Sequence, residues 1–250
     1  MKVCTVRNIK IGEGKPKICL PIVGKNDEEI INQALSFKEV RYDVAELRID
    51  FYQDIFNKDK LLTMLKKLRG VIEQPILLTY RSKNEGGEIQ LQDNEYQALV
   101  ENVCESGYID LIDIELMSGN ALVYQLVGIA HQYQVKVVMS NHDFHKTPSD
   151  EEMIDRLEKM ESFDADICKI AVMPQNKNDV VRLLNVTYTM SRKLSKPLIT
   201  MSMGTIGVIS RICGETFGSS LTFASKGKAS APGQISVNDM NLILEAISND

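Results

Sequence analysis

Eight short runs rich in β-branched and apolar residues recur along the chain, and most are followed by a stretch with helical periodicity. The runs are Lys17–Gly24, Val44–Asp50, Ile76–Arg81, Leu111–Leu116, Lys136–His142, Ile167–Pro174, Pro197–Met203 and Ser219–Ser225. Their starts lie 22 to 35 residues apart, room each time for one strand and one crossover helix. Apolar residues repeat with a 3.6-residue period in Asp27–Glu39, Asp93–Ser106, Ala121–Gln134, Ser149–Met160 and Asn178–Leu194. Ser149 and Glu152 have the spacing of a capping box. Eight βα units predict an α/β fold of the (β/α)8 TIM-barrel type, with a doubly wound parallel sheet as the alternative. Ahead of them, Val3–Ile9 alternates and Gly12-Glu13-Gly14 can turn, which predicts an N-terminal β-hairpin closing the barrel bottom. No linker, low-complexity tract or charge block interrupts the chain, so residues 1–250 read as one barrel domain.

Composition narrows the partners. The net charge is -5, with 29 basic against 34 acidic residues and no basic block, which argues against nucleic acid and anionic membrane. Small anionic substrates stay open, because local arginines suffice to bind them. Five scattered cysteines (Cys4, Cys19, Cys104, Cys168, Cys213), none in a CxxC pair, point to a reducing compartment and no disulfide framework. Met1–Lys15 has no apolar core of a signal peptide, and the most apolar run, Ala121–Ala130, contains Tyr124 and Gln125. The expected location is the cytoplasm.

Strands of a parallel sheet are covered on both faces and normally read as apolar. Several here carry charge at one parity. Ala45, Leu47 and Ile49 share one face, and Glu46, Arg48 and Asp50 the other. Asp113 and Glu115 split from Ile112, Ile114 and Leu116 in the same way, and Thr79 and Arg81 split from Leu78 and Tyr80. In a barrel the charged parity faces the lumen, where desolvation is costly unless the charges are paired or used. Two readings follow: a functional site at the C-terminal strand ends, where barrel enzymes hold their chemistry, or a buried salt-bridge network that includes Asp50 and Asp113.

Lys169 interrupts the apolar strand Ile167–Val172, a place where lysine is rarely buried. It is either a nucleophile toward carbonyls or a lysine that snorkels out or pairs with Glu46 or Glu115. His142 ends the neighbouring strand with the parity of Val138 and Ser140, so it reaches the lumen beside Lys169 and offers a general acid/base. A metal held by His142, His145 and a carboxylate is a weaker alternative, because the two histidines are aimed differently. His131 reads as a helix-surface residue. Glu85-Gly86-Gly87 and Ala229–Gln234 are small-residue loops after the third and eighth strands, and neither matches a phosphate-binding glycine motif. Met201 and Met203 read as apolar lining.

Taken together, six segments resemble the type I 3-dehydroquinate dehydratase family. They are Glu46-Leu47-Arg48-Ile49-Asp50, Arg81-Ser82 with Glu85-Gly86-Gly87, Ser140-Asn141-His142-Asp143-Phe144-His145, Lys169-Ile170-Ala171-Val172-Met173-Pro174, Gly207-Val208-Ile209-Ser210-Arg211 and Ala229-Ser230-Ala231-Pro232-Gly233-Gln234. The resemblance implies a (β/α)8 barrel and a homodimer that uses no metal and no organic cofactor. It implies conversion of 3-dehydroquinate to 3-dehydroshikimate and water, the third step of the shikimate pathway. Lys169 would form a Schiff base with the substrate ketone, His142 would act as general acid/base, and Glu85 would hold His142. Arg211 would bind the substrate carboxylate, and Glu46, Arg48 and Arg81 its ring hydroxyls. Ser230 and Gln234 would belong to a loop that closes over the substrate. Pro21 stands where some family members carry a serine, so no hydroxyl contact is expected there. The alternatives are a class I Schiff-base aldolase, a metal-dependent barrel hydrolase and a non-catalytic binding protein on the same scaffold.

Overall fold

The computed structural model describes residues 2–227 and 231–248. Each of the eight expected runs forms a parallel strand: β3 (Lys17–Ile22), β4 (Val44–Arg48), β5 (Ile76–Thr79), β6 (Leu111–Glu115), β7 (Lys136–Asp143), β8 (Ile167–Val172), β9 (Leu198–Ser202) and β10 (Leu221–Ser225). They pair in chain order from β3 to β9, and β10 pairs back onto β3. The cylinder is drawn shut between β9 and β10 by a single bridge, Leu198 to Ser219, with Ser220 N–H donating to the Leu198 carbonyl at 2.7 Å. A ninth short strand, β11 (Ile235–Ser236), extends the sheet beside the end of β10.

Two separate apolar clusters follow the parity of the strands. Outward residues such as Leu20, Leu47, Leu78, Ile114, Met139 and Ile170 pack on the helices. Inward residues such as Cys19, Val44, Leu77, Leu111, Val138, Ile167, Ile199 and Leu221 fill the lower lumen. A strand covered by helices outside and by its own barrel inside has no solvent face, which is why its sequence is apolar at nearly every position.

The hairpin is present but folds elsewhere than expected. Its strands are β1 (Cys4–Val6) and β2 (Ile9–Ile11), paired antiparallel with Val6 opposite Ile9. The chain therefore turns at Arg7-Asn8, with Arg7 at φ 52°, and Gly12-Glu13-Gly14 lies beyond the second strand. Two-residue connections suit antiparallel strands because the backbone twist of a positive-φ turn matches the strands it joins. Cys4, Val6 and Ile11 belong to the lower-lumen cluster, so the hairpin plugs the end of the barrel opposite the strand C-termini.

The helices are α1 (Asp27–Ser36), α2 (Lys58–Val71), α3 (Asp93–Glu105), α4 (Asn120–Gln132), α5 (Asp150–Ser162), α6 (Lys177–Lys193), α7 (Ile209–Ile212), α8 (Gly214–Phe217) and α9 (Val237–Ala246). The shortest interval, between β9 and β10, holds two single-turn helices in place of a crossover helix. Ser149 caps α5 by accepting the Glu152 N–H at 3.2 Å. The carboxylate of Glu152 turns to Arg156 instead of completing the expected capping box. No helix among the described residues is long and apolar enough to cross a membrane.

Candidate active site

At the C-terminal end of the barrel, strand ends and loops enclose a cavity that brings most of the expected residues together. Its walls include Glu46 and Arg48 from β4, Arg81 and Glu85 after β5, His142 from β7, Lys169 from β8, Arg211 from α7, and Gln234. Asp50 is not among them: the strand ends at Arg48, and Asp50 sits in a short 3-10 turn, where its carboxylate takes both Nε and Nη2 of Arg48 at 2.8 Å. Ser230 lies outside the described residues.

Lys169 is 2% exposed and its Nζ lies 3.2 Å from Oδ2 of Asp113, so its partner is neither Glu46 nor Glu115. The aromatic face of Phe223 stands 4.6 Å away, a cation–π contact that keeps water from the amine. Asp113 is wholly buried and also receives Arg81 Nη2 at 2.9 Å and Ser140 Oγ at 2.6 Å. Burial alone would raise its pKa, but Arg81 and Lys169 hold it below the usual carboxylate value. Asp113 belongs to the paired network, and it stands directly against the lysine.

Arg81 is the hub of that network. Its Nη1 donates to Glu115 at 2.8 Å and to Ser140 at 3.0 Å, and lies 3.5 Å from Glu85. Burial opposes its charge, but Asp113 and Glu115 outweigh this and hold the guanidinium above its ordinary pKa. Glu46 accepts from Thr79 Oγ1 at 2.9 Å.

His142 follows from the pairing of β7 with β8. Ser140 sits opposite Lys169 and His142 opposite Ala171, so both chemical side chains rise into the lumen from adjacent strands. Glu85 Oε2 accepts the His142 backbone N–H at 2.9 Å and faces ring Nδ1 at 3.0 Å, while Oε1 accepts from Asn141 Nδ2 at 2.9 Å. Burial, then Arg81, Lys169 and Arg48, holds the His142 ring well below its ordinary pKa, so it is neutral at pH 7. Burial and the nearby Glu115 push Glu85 up to about 8.

The glycines beside Glu85 are there for clearance. A Cβ on Gly87 would stand 1.8 Å from the Arg81 carbonyl oxygen, and one on Gly86, at φ +88°, would strike the Phe144 ring at 2.5 Å. The loop can fold back on the end of β5 and present Glu85 to His142 only with both positions bare.

Arg211 differs from the other buried cations. Its side chain donates to the Pro232 carbonyl at 2.9 Å and touches Met201 Sδ, and its buried Nε has no hydrogen-bond partner among the described residues. No carboxylate pairs with it there, and burial presses the guanidinium down to about 10, still cationic at neutral pH. A buried, under-paired guanidinium at a cavity wall is suited to a carboxylate ligand.

Several lining residues escaped the sequence reading, among them Phe144, Ala171 and Phe223. Phe223 has the lumen parity of β10, which was the available signal. Met201 and Met203 line the cavity as expected. His145 is exposed, and no cluster of three His, Cys, Asp or Glu side chains suited to a metal exists among the described residues. His131 is a partly buried helix residue that bonds Asp166 at 2.9 Å.

A family model described as type I 3-dehydroquinase matches residues 18–250. A 3-dehydroquinate dehydratase of Listeria welshimeri is 48% identical over 248 residues, covering 99% of this chain and 98% of the relative. One from Escherichia coli is 49% identical over 246 residues, covering 98% of each. The crystal structure of the Clostridium difficile type I 3-dehydroquinate dehydratase, described with covalent modified comenic acid, superposes with a TM-score of 0.96 at 46% identity, over 99% of this chain and 98% of that one. Full-length matches of this identity set aside the aldolase, hydrolase and binding-protein alternatives. The chain belongs to the type I 3-dehydroquinase family.

Proposed function

We propose that this enzyme dehydrates 3-dehydroquinate through an imine on Lys169, with His142 carrying the proton. Its activity is that of a 3-dehydroquinate dehydratase, a hydro-lyase of the shikimate pathway. The reading of the mechanism is carried by one observation: Lys169 and His142 line the same cavity from adjacent strands.

The Nζ lone pair of Lys169 adds to the substrate ketone, and the carbinolamine, taking up one proton at its hydroxyl, loses water to leave an iminium; hydrolysis later returns that proton. That cation draws electrons from the neighbouring carbon, where His142 removes a proton and an enamine forms. The enamine pushes out the hydroxyl one carbon further on, and the protonated His142 returns its proton to the leaving oxygen as water. Hydrolysis of the conjugated iminium releases 3-dehydroshikimate and restores the amine. One base serving both departures makes the elimination syn. A neutral ring in the free enzyme supports the role of base.

Glu85 acts on His142 as a positioning residue. Arg211 receives the substrate carboxylate, Glu46, Arg48 and Arg81 address the ring hydroxyls, and Ser230 and Gln234 belong to the loop that closes over the substrate. The two Nη atoms of Arg81 are already engaged with carboxylates, so its contribution is charge and shape more than a free donor. Pro21 brings no hydroxyl to this site. The working assembly is read as one domain per chain in a cytoplasmic homodimer, the state that sedimentation should find.

Intact-mass spectrometry after mixing with 3-dehydroquinate and borohydride tests the mechanism. A reduced adduct that maps to Lys169 is expected, together with its loss in Lys169→Ala. Near-normal turnover by Lys169→Ala would overturn the reading.

A further inference from the structure

The orientation of His142 can be traced outward, through Glu85 and Asn141, to a helix on the outside of the barrel. Glu85 divides its two oxygens: Oε2 serves His142, and Oε1 accepts from Nδ2 of Asn141 at 2.9 Å. An amide can turn either its NH2 or its carbonyl toward Glu85, and here the NH2 is the side that donates to Oε1. The choice is made on the far side of the amide, where Arg156 Nη1 donates to Asn141 Oδ1 at 2.5 Å. A guanidinium is donor-only, so it accepts one orientation of the amide and rejects the other. Nη2 of Arg156 is itself tied to Glu152 one turn earlier in α5.

We propose that Arg156 is a positioning residue for the dehydration, fixing the Asn141 amide so that Glu85 holds the His142 ring. The inference rests on the reading of His142 as proton carrier. Arg156 is not among the residues that line the cavity, so it acts only through Asn141. Other charges face the Glu85–His142 pair: Arg81 at 3.5 Å from Glu85 after β5, Glu115 from β6, Lys169 from β8 and Arg48 from β4. These groups are unchanged in sequence when Arg156 is replaced, so a displaced pH profile reports the loss of the guanidinium together with the amide orientation it sets.

Arg156→Met keeps the aliphatic stem and removes the donor, Arg156→Lys returns a cationic donor, and Asn141→Asp sets an oxygen against Glu85 while keeping Arg156 paired. For Arg156→Met, kcat should fall by about tenfold or more while KM stays within about twofold, the split expected when a catalytic group is misaimed. Its kcat–pH profile should be displaced, the borohydride-trapped adduct on Lys169 should still form, and Arg156→Lys should recover most of the rate. Asn141→Asp should lose kcat in the same way, and it carries the test by itself if Arg156→Met does not fold. Parent-like kcat and pH profile in both Arg156→Met and Asn141→Asp would overturn the positioning role. His142→Ala separates the two ideas: if it is inactive while those variants match the parent, only the role of Arg156 fails. If His142→Ala turns over normally, the reading of His142 fails and takes this inference with it.

Discussion

Glu85 Oε2 receives the backbone N–H of His142 at 2.9 Å and stands 3.0 Å from ring Nδ1 of the same residue. One carboxylate oxygen thus fixes both the main chain at the end of β7 and the tilt of the imidazole. Nε2 is left as the ring atom available to face the cavity.

Replacing Glu85 by Gln keeps the shape but leaves one acceptor oxygen where two now serve the His142 backbone N–H, ring Nδ1 and Asn141 Nδ2. Turnover should fall by about 10- to 100-fold, because a misaimed proton carrier loses most of its advantage over water. KM should change much less, since Glu85 orients His142 and is read as making no direct claim on the substrate. A variant with parent-like kcat would show that the ring is held by something else.

Acid should cost stability through His142. The folded ring is held well below the ordinary value of 6.5, whereas the unfolded ring regains it. Below pH 6.5 the unfolded chain therefore binds a proton that the folded chain refuses, so stability falls as the pH drops. This group contributes about 1 kcal/mol per pH unit between the unfolded pKa and the lower folded one. Denaturant melts of the parent and His142→Gln, compared at about pH 5.5 and about pH 7.5, isolate the effect. Equal acid sensitivity in the two proteins would contradict it.

Arg211 carries no carboxylate partner among the described residues, and its Nε is buried without a hydrogen bond. Arg211→Ala should weaken substrate binding by roughly 2–4 kcal/mol, the cost of leaving a buried carboxylate unpaired. Isothermal titration with a non-reacting carboxylate analogue measures this directly. Unchanged affinity would move the carboxylate site elsewhere in the cavity.

Two glycines should answer oppositely to alanine. In Gly87→Ala the new methyl meets the Arg81 carbonyl oxygen at 1.8 Å, so the loop bearing Glu85 must move. A loss of about 1–3 kcal/mol and most of the activity is expected. Gly70, inside α2, has nothing within 4 Å of a new Cβ, and alanine there should stabilise by roughly 0.5–1 kcal/mol with activity intact. Thermal melts and steady-state rates on the two variants check both directions.

Period and parity, both local properties, determined much of this protein from its sequence by itself. A barrel strand is apolar outward because helices cover it, so Glu46, Arg48, Asp113, Glu115, His142 and Lys169 stood out as residues aimed at a lumen. The glycines after β5 were visible as a pattern, though not as clearance for Arg81 and Phe144. Only the tertiary structure decided who touches whom. Lys169 meets Asp113, 56 residues away, and not Glu46 or Glu115. Register sets Glu115 level with Lys169 across Ser140, yet the long lysine side chain reaches Asp113 one layer below, while Arg81 takes Glu115. The hairpin turns at Arg7-Asn8 because Val6 pairs with Ile9 over the barrel floor. Asp50 leaves the charged face because β4 ends at Arg48 and the chain coils back. The link from Arg156 through Asn141 to Glu85 joins a helix, a strand end and a loop that are strangers in sequence. A hydrogen bond forms where register and closure bring donor and acceptor within reach, and no local pattern encodes that distance.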